Sequence, residues 1–212
     1  MIVYGSSLSP FVRKTLAYIS EKGLQAELRP IRLQDPDSDF REASPFGKMP
    51  GFRDGDFAIS DSTAIITYLE AKHPEPPLLP AEPRARARTI WYEEFADTIL
   101  IAQAGAVFFN RVVSPMFLGR PGDMAAAETA EKDGVPPLMN YLERTIPDSG
   151  FLVEDRLTLA DLAVVSPFVN LAHCGIEIDA DKHPKTAAYV DAILARPSFA
   201  PIIAQEKQFF AR

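Results

Sequence analysis

Cysteine is nearly missing from this sequence: Cys174 stands alone among 212 residues, which excludes an intrachain disulfide. Histidine is scarce as well, and His73, His173 and His183 are too scattered to match any metal-ligand spacing, so no metal site is expected. Basic residues are in deficit, with 22 Lys and Arg against 29 Asp and Glu and a net charge of −7. That balance argues against a nucleic-acid partner, which normally meets a basic stripe, but it leaves room for a local basic pocket that takes a small anion. No stretch approaches the roughly 20 apolar residues of a membrane span. The start, Met1 to Ser6, lacks the charged and apolar regions of a signal peptide, so no membrane role is expected and the reducing cytoplasm is the expected location.

Hydrophobic residues make up 47% of the chain and charged residues 24%, enough apolar material for a packed core without staples. The length suits one large domain or two small ones at about 100–150 residues each. Two regimes are visible. Over residues 1–75, short β-type runs alternate with helices. Ile2-Val3-Tyr4 predicts a strand, and residues 10–22 predict a helix with Ser9 as N-cap, Pro10 at its first position and Gly23 past its end. Val12, Leu16 and Ile19 recur at helical spacing.

A second strand is expected from Glu27 to Leu33, followed by a polar stretch from Gln34 to Ser44 with at most a short helix. Gly51-Phe52-Arg53 and Phe57-Ala58-Ile59 predict a hairpin turning at Asp54-Gly55. The spacing then predicts a helix over 62–72, with Ile65, Ile66 and Leu69 inward. Strands joined by a helix run parallel and hairpin strands antiparallel, so the order β-α-β-β-α resembles a thioredoxin-type fold.

His73 to Pro83 is dense in proline, which interrupts helix and strand alike, and residues 76–83 are read as an interdomain linker. Residues 84–212 read as an all-helical domain. Its first helix is long, from Arg84 to about Val112, with Ile90, Trp91, Phe95, Ile99 and Ala102 on one face. Breaks are expected at Ser114-Pro115 and at 119–122, then helices over 124–145, 159–173, 184–195 and 198–208.

Three segments of the first domain carry candidate chemistry. In Ser44-Pro45-Phe46-Gly47-Lys48-Met49-Pro50, a proline directly before a strand suits a cis bond, which turns the Met49 N–H and C=O outward to pair with an extended peptide. A plain turn before a hairpin is the simpler reading. In Ile59-Ser60-Asp61-Ser62, polar residues meet a helix N-terminus, where free N–H groups suit a carboxylate. Ser62 can add its hydroxyl and Asp61 can hold an ammonium, while helix capping alone explains the same residues. In Ser6-Ser7-Leu8-Ser9-Pro10, the Ser9 hydroxyl at a helix N-terminus suits stabilisation of a thiolate, and equally an N-cap. Residues 46–62 together read as a docking segment for a small anionic thiol peptide.

Those segments, Ser9-Pro10-Phe11, Phe46-Gly47-Lys48-Met49-Pro50 and Asp61-Ser62-Thr63-Ala64-Ile65, resemble the cytosolic glutathione transferase family over essentially the whole chain. Ser9 falls where the serine- and cysteine-type, bacterial-like members place their catalytic residue. Leu157-Thr158-Leu159-Ala160-Asp161-Leu162 resembles the family's capping box, a folding element.

The resemblance implies a thioredoxin-like N-terminal domain with an all-helical C-terminal domain, and a detoxifying transferase. Ser9 would activate the thiol of glutathione, Met49 would pair with its cysteinyl backbone and Pro50 would be cis. Asp61 and Ser62 would hold its γ-glutamyl end and Lys48 a carboxylate. Glutathione is then a co-substrate, with no other cofactor, a small hydrophobic electrophile is the second substrate, and a homodimer is the expected assembly. Asp61 departs from the Glu or Gln common at its position, and Ser9 from the Cys of thioltransferases. Isomerase, dehalogenase or peroxidase chemistry and a non-enzymatic stringent-starvation-type role remain alternatives on this scaffold. Tyr4, Ser6 and Ser7 are secondary candidates for thiol activation. Cys174 reads as a buried structural thiol and Trp91 with Phe95 as core. Phe108, Phe109, Met116 and Phe117 read as core or as the wall of an apolar cleft.

Overall fold

Pro10 opens the first helix, α1 (Pro10–Glu21), where its missing N–H costs nothing. Gly23, at φ +68°, closes it. Its N–H bonds the Ser20 carbonyl at 2.9 Å and the Leu24 N–H bonds the Ile19 carbonyl at 3.0 Å, the paired bonds of a Schellman stop. A computed structural model describes residues 1–32 and 35–211 of the chain. It divides into two units, Met1–Leu79 with Arg196–Arg212, and Pro80–Ala195.

In the first unit, β1 (Ile2–Gly5), β2 (Glu27–Pro30), β3 (Gly51–Asp54) and β4 (Phe57–Ser60) form one sheet in the order β2-β1-β3-β4. β1 pairs parallel to β2 and antiparallel to β3, and β3 pairs antiparallel to β4. Short helix α2 (Ser38–Ala43) and helix α3 (Ser62–Lys72) complete the thioredoxin-like arrangement. Alternation along β1 sends neighbours to opposite faces. Tyr4 packs with Ile31, Phe40 and Ala43, while Val3 pairs across the sheet with Phe52, and both are wholly buried. β2 ends at Pro30, earlier than the expected end at Leu33; Leu33 and Gln34 lie outside the described residues. The hairpin turns on Gly55 and Asp56, with Asp54 still paired to Phe57, one residue later than expected.

Lys22 ties the proline-rich segment to α1. Its Nζ donates to the carbonyls of His73, Pro74 and Pro76 at 2.8, 3.3 and 2.7 Å and pairs with Glu70. Glu70 also accepts from the Tyr18 hydroxyl and from the Leu79 N–H.

The second unit is all helix. Its long helix α4 runs from Pro83 to Phe117 and packs on the helix Leu159–His173, whose residues from Leu159 to Leu171 are all buried. Two expectations for α4 are corrected. The helix passes through Ser114-Pro115 because the turn there is π-type, Phe109–Phe117, which relieves the clash between a proline ring and the preceding turn. The inward face is Ala85, Thr89, Tyr92, Ala96, Leu100, Ala104 and Val107. Trp91 and Ile99 are 51% and 41% exposed, so they are not core, although Phe95 is. A second π-type stretch, Phe95–Leu100, inserts an extra residue into a turn and rotates the buried stripe away from a strict 3.6-residue repeat.

α4 is also long and apolar enough, by length and composition alone, to cross a membrane, which corrects the expectation that no segment approaches that test. The core helix of a globular unit passes it too. Cys174 is half-buried rather than buried, and its desolvation pushes the thiol up to about 11.

The last correction concerns the tail. Residues 196–212, expected in the helical domain, group with the first unit. Their contacts include two ion pairs to α1, Arg13–Glu206 buried and Arg196–Glu21 partly exposed, between residues too distant in sequence for any local pattern to reveal.

Candidate functional site

The sheet register assembles the site. Tyr4 is opposite Gly51, and Gly51 is opposite Ser60. The end of β1, the start of β3 and the end of β4 therefore share one edge of the sheet, and so do the loops that continue from them: 6–9, 44–50 and 61–62. Adjacent strands are about 4.8 Å apart, so this row spans about 10 Å, the length of an extended tripeptide.

At one end stands Ser9. Its backbone is extended, at φ −76° and ψ 124°, and its carbonyl accepts from the Arg13 N–H at 2.9 Å. Its side chain makes no capping hydrogen bond, so the hydroxyl is not used by the helix it precedes. Ser6 is occupied locally, its Oγ accepting from the Leu8 N–H at 3.4 Å and its carbonyl from the Ser9 N–H at 2.9 Å. Tyr4, the phenol candidate, is wholly buried against Phe40 on the α2 face.

In the middle lies the loop before β3. The Met49–Pro50 bond is cis and Pro50 is buried, with Met49 half-buried and Lys48 exposed. Ser44 closes this loop. Its buried Oγ donates to the Lys48 carbonyl at 2.7 Å and accepts from the Lys48 N–H at 2.9 Å. Ser44 is the residue that sequence reading missed; its only signal was a hydroxyl before a proline at the start of a turn. Ser44→Ala removes the buried hydroxyl that both Lys48 groups bond and is expected to cost about 1–3 kcal/mol, measured by urea unfolding.

Gly5 brings α1 close to this loop. A Cβ on Gly5 would lie 2.6 Å from Val12 Cγ2 and 3.5 Å from Met49 Cβ, so only glycine lets the strand end, α1 and the loop before β3 converge.

At the far end, Asp61 sits at φ 80° and ψ 127°, a backbone region that a non-glycine side chain rarely adopts. Its Oδ1 accepts from the Thr63 and Ala64 N–H groups at 2.9 and 3.0 Å. The Ile65 N–H goes to the Asp61 carbonyl at 3.0 Å. Among the described residues, that leaves the Ser62 N–H as the amide of this turn not taken up by Asp61. Ser62 itself is 2% exposed. The capping expectation and the anion-site expectation thus fall on different atoms: Asp61 Oδ1 caps, while the Ser62 N–H and Asp61 Oδ2 take no part in those backbone bonds. Among the described residues no group of three or more His, Cys, Asp or Glu is placed to hold a metal ion.

Comparison with known proteins adds the following. The family model described as glutathione S-transferase, N-terminal domain, matches residues 3–77, and the corresponding C-terminal domain model matches residues 109–206. A glutathione S-transferase of Hyoscyamus muticus is 31% identical over 208 residues, covering 96% of this chain and 97% of that protein. A glutathione S-transferase from Methylobacterium radiotolerans, solved in complex with glutathione sulfonate, is 28% identical with a TM-score of 0.77, covering 95% of this chain and 93% of that one. One from Rhodospirillum rubrum shares the fold with a TM-score of 0.87 at 24% identity, covering 95% of this chain and 90% of that one.

Proposed function

We propose, from the premise that this chain belongs to the glutathione S-transferase family, that it is a serine-type member joining the glutathione thiolate to a small hydrophobic electrophile. The observation that carries this reading is the aligned row Tyr4–Gly51–Ser60, which puts three ligand-ready loops along one tripeptide length.

In this reading the γ-glutamyl carboxylate docks on the Ser62 N–H and hydroxyl at the positive end of α3. Asp61 Oδ2 takes the ammonium on the same carbon. The cysteinyl backbone pairs with Met49, which cis Pro50 turns outward, and Lys48 reaches the glycine carboxylate. The thiol then lies toward α1, where the Ser9 hydroxyl donates to sulfur and favours the thiolate. The thiol proton leaves to solvent. The sulfur lone pair forms a C–S bond to the electrophilic carbon, which releases its leaving group or takes up a proton after addition. In the helical unit Phe109, Met116 and Phe117 are 40%, 54% and 48% exposed, so they are not core, whereas Phe108 is. A homodimer in the reducing cytoplasm completes the reading.

Calorimetry tests the docking half. Ser62→Ala is expected to weaken glutathione binding about tenfold, the worth of one charge-assisted hydrogen bond, about 1.4 kcal/mol. Unchanged affinity in that variant, or no binding by the wild type, contradicts the reading. Product analysis over a panel of electrophiles separates conjugation from isomerisation, dehalogenation or peroxide reduction.

A further inference from the structure

The tail that returns to the first unit grips α1 at both ends. Near the start of the helix, Arg13 Nε donates to Glu206 Oε1 at 3.2 Å and Arg13 Nη2 to Glu206 Oε2 at 3.0 Å, a bidentate pair whose residues are 0% and 3% exposed. At the other end Glu21 accepts from Arg196 Nε and Nη2, both at 2.8 Å, and from the Ser198 hydroxyl at 2.6 Å. The two grips lie about 12 Å apart along α1. Their order is reversed on the tail, so the C-terminal helix Ala200–Phe210 runs antiparallel to α1.

The two grips differ in what they hold. Arg13 is one turn from Ser9 and its N–H bonds the Ser9 carbonyl, so the Arg13–Glu206 fork holds the residue that closes the first turn of α1 on Ser9. Glu21 sits at the opposite end. Ser9 does not cap α1 with its side chain, so this turn depends on contacts made by other residues. A buried fork with two parallel hydrogen bonds is the most directional contact available for that.

We infer that residues 196–210 are a strap that sets thiol activation, with Arg13 and Glu206 as positioning residues that act through Ser9. This rests on the proposed reaction. It makes the C-terminal tail, far from the residues that dock glutathione, a determinant of kcat rather than of affinity.

Three variants of the full-length protein test it: Glu206→Gln, Glu21→Gln, and the doubly substituted Arg13→Met/Glu206→Met, in which apolar side chains replace the pair so that no lone buried charge remains. For each, the ionisation of bound glutathione is followed by thiolate ultraviolet absorbance against pH, together with glutathione affinity and kcat. Positioning predicts that Glu206→Gln raises the bound thiol's pKa by about one, a loss of about tenfold in thiolate and kcat below that pKa, with affinity within about twofold. The double variant is expected to move the same way, and Glu21→Gln to leave the pKa in place.

A purely electrostatic role has the opposite sign, because removing the negative charge of Glu206 favours the thiolate and pulls the thiol's pKa down. A fall, no change in the folded Glu206→Gln or double variant, or an equal rise in Glu21→Gln overturns the strap. Failure of the wild type to bind glutathione overturns the proposed reaction and the strap together, so the two failures are distinguishable.

Discussion

Ser9→Ala is expected to lower kcat for glutathione conjugation about 10- to 100-fold at neutral pH while leaving glutathione affinity within about threefold. One hydrogen bond from a hydroxyl to a charged sulfur contributes about 1.5–3 kcal/mol, which corresponds to a rise of about one to two in the thiol's pKa. Thiolate is the reactive form, so the rate climbs with pH through the bound thiol's pKa. The variant's climb is displaced upward. The deficit is therefore largest at low pH and closes above the variant's pKa, as a rate profile across pH can show.

Stability separates this role from simple capping. If Ser9 were the N-cap by its side chain, alanine would cost about 1 kcal/mol. Its side chain makes no cap hydrogen bond and Pro10 has no N–H to satisfy, so the variant's unfolding free energy is expected to stay within about 0.5 kcal/mol of wild type. Normal thiol ionisation in Ser9→Ala would falsify the assignment and pass the role to Ser6 or Ser7.

The largest stability effect is expected in the helical unit, at Asp161. This wholly buried carboxylate is where four donors meet: the Leu152 N–H at 2.9 Å, the Tyr189 hydroxyl at 3.2 Å, and the Thr158 N–H and hydroxyl at 2.8 and 3.2 Å. The Thr158 contacts belong to the capping box of the helix Leu159–His173, and those to Leu152 and Tyr189 tie that box to the preceding loop and to the helix Pro184–Leu194. Asp161→Ala strands these donors in the core and is expected to cost about 2–4 kcal/mol. At this chain length that is a fall in Tm of about 5–15 °C by calorimetry.

The same group gives a pH signature. Burial pushes the Asp161 carboxyl up to about 6 from 3.8, against the four hydrogen bonds that favour its charged form. The folded state therefore binds this proton more tightly than the unfolded chain, and the group's contribution to stability falls as pH rises from about 4 to about 6. Asp161→Ala has no such proton. Its deficit relative to wild type is expected to grow as pH drops through that window, and a deficit flat from pH 4 to 7 would show that Asp161 does not titrate there.

The start and stop of α1, the hairpin and α3 were legible in the residues because each signal acts within a few positions. Pro10 presets φ, Gly23 reaches the left-handed region, and the capping bond from Thr158 to Asp161 spans three positions. The candidate loops were legible for the same reason, since a proline before a strand and a hydroxyl before a helix are local chemistry.

What tertiary structure decided lies beyond that range. The alignment of Tyr4, Gly51 and Ser60 at one end of the sheet, which brings three separate loops together, is a property of strand register. The division of labour at α3, with Asp61 Oδ1 capping and the Ser62 N–H left over, depends on one backbone dihedral. Residues 46–62 alone thus carried the candidate loops, because their signals are local. The register that aligns those loops, and contacts such as Arg13–Glu206 across a separation of 193 residues, were decided by tertiary structure, where sequence carries no periodicity to read.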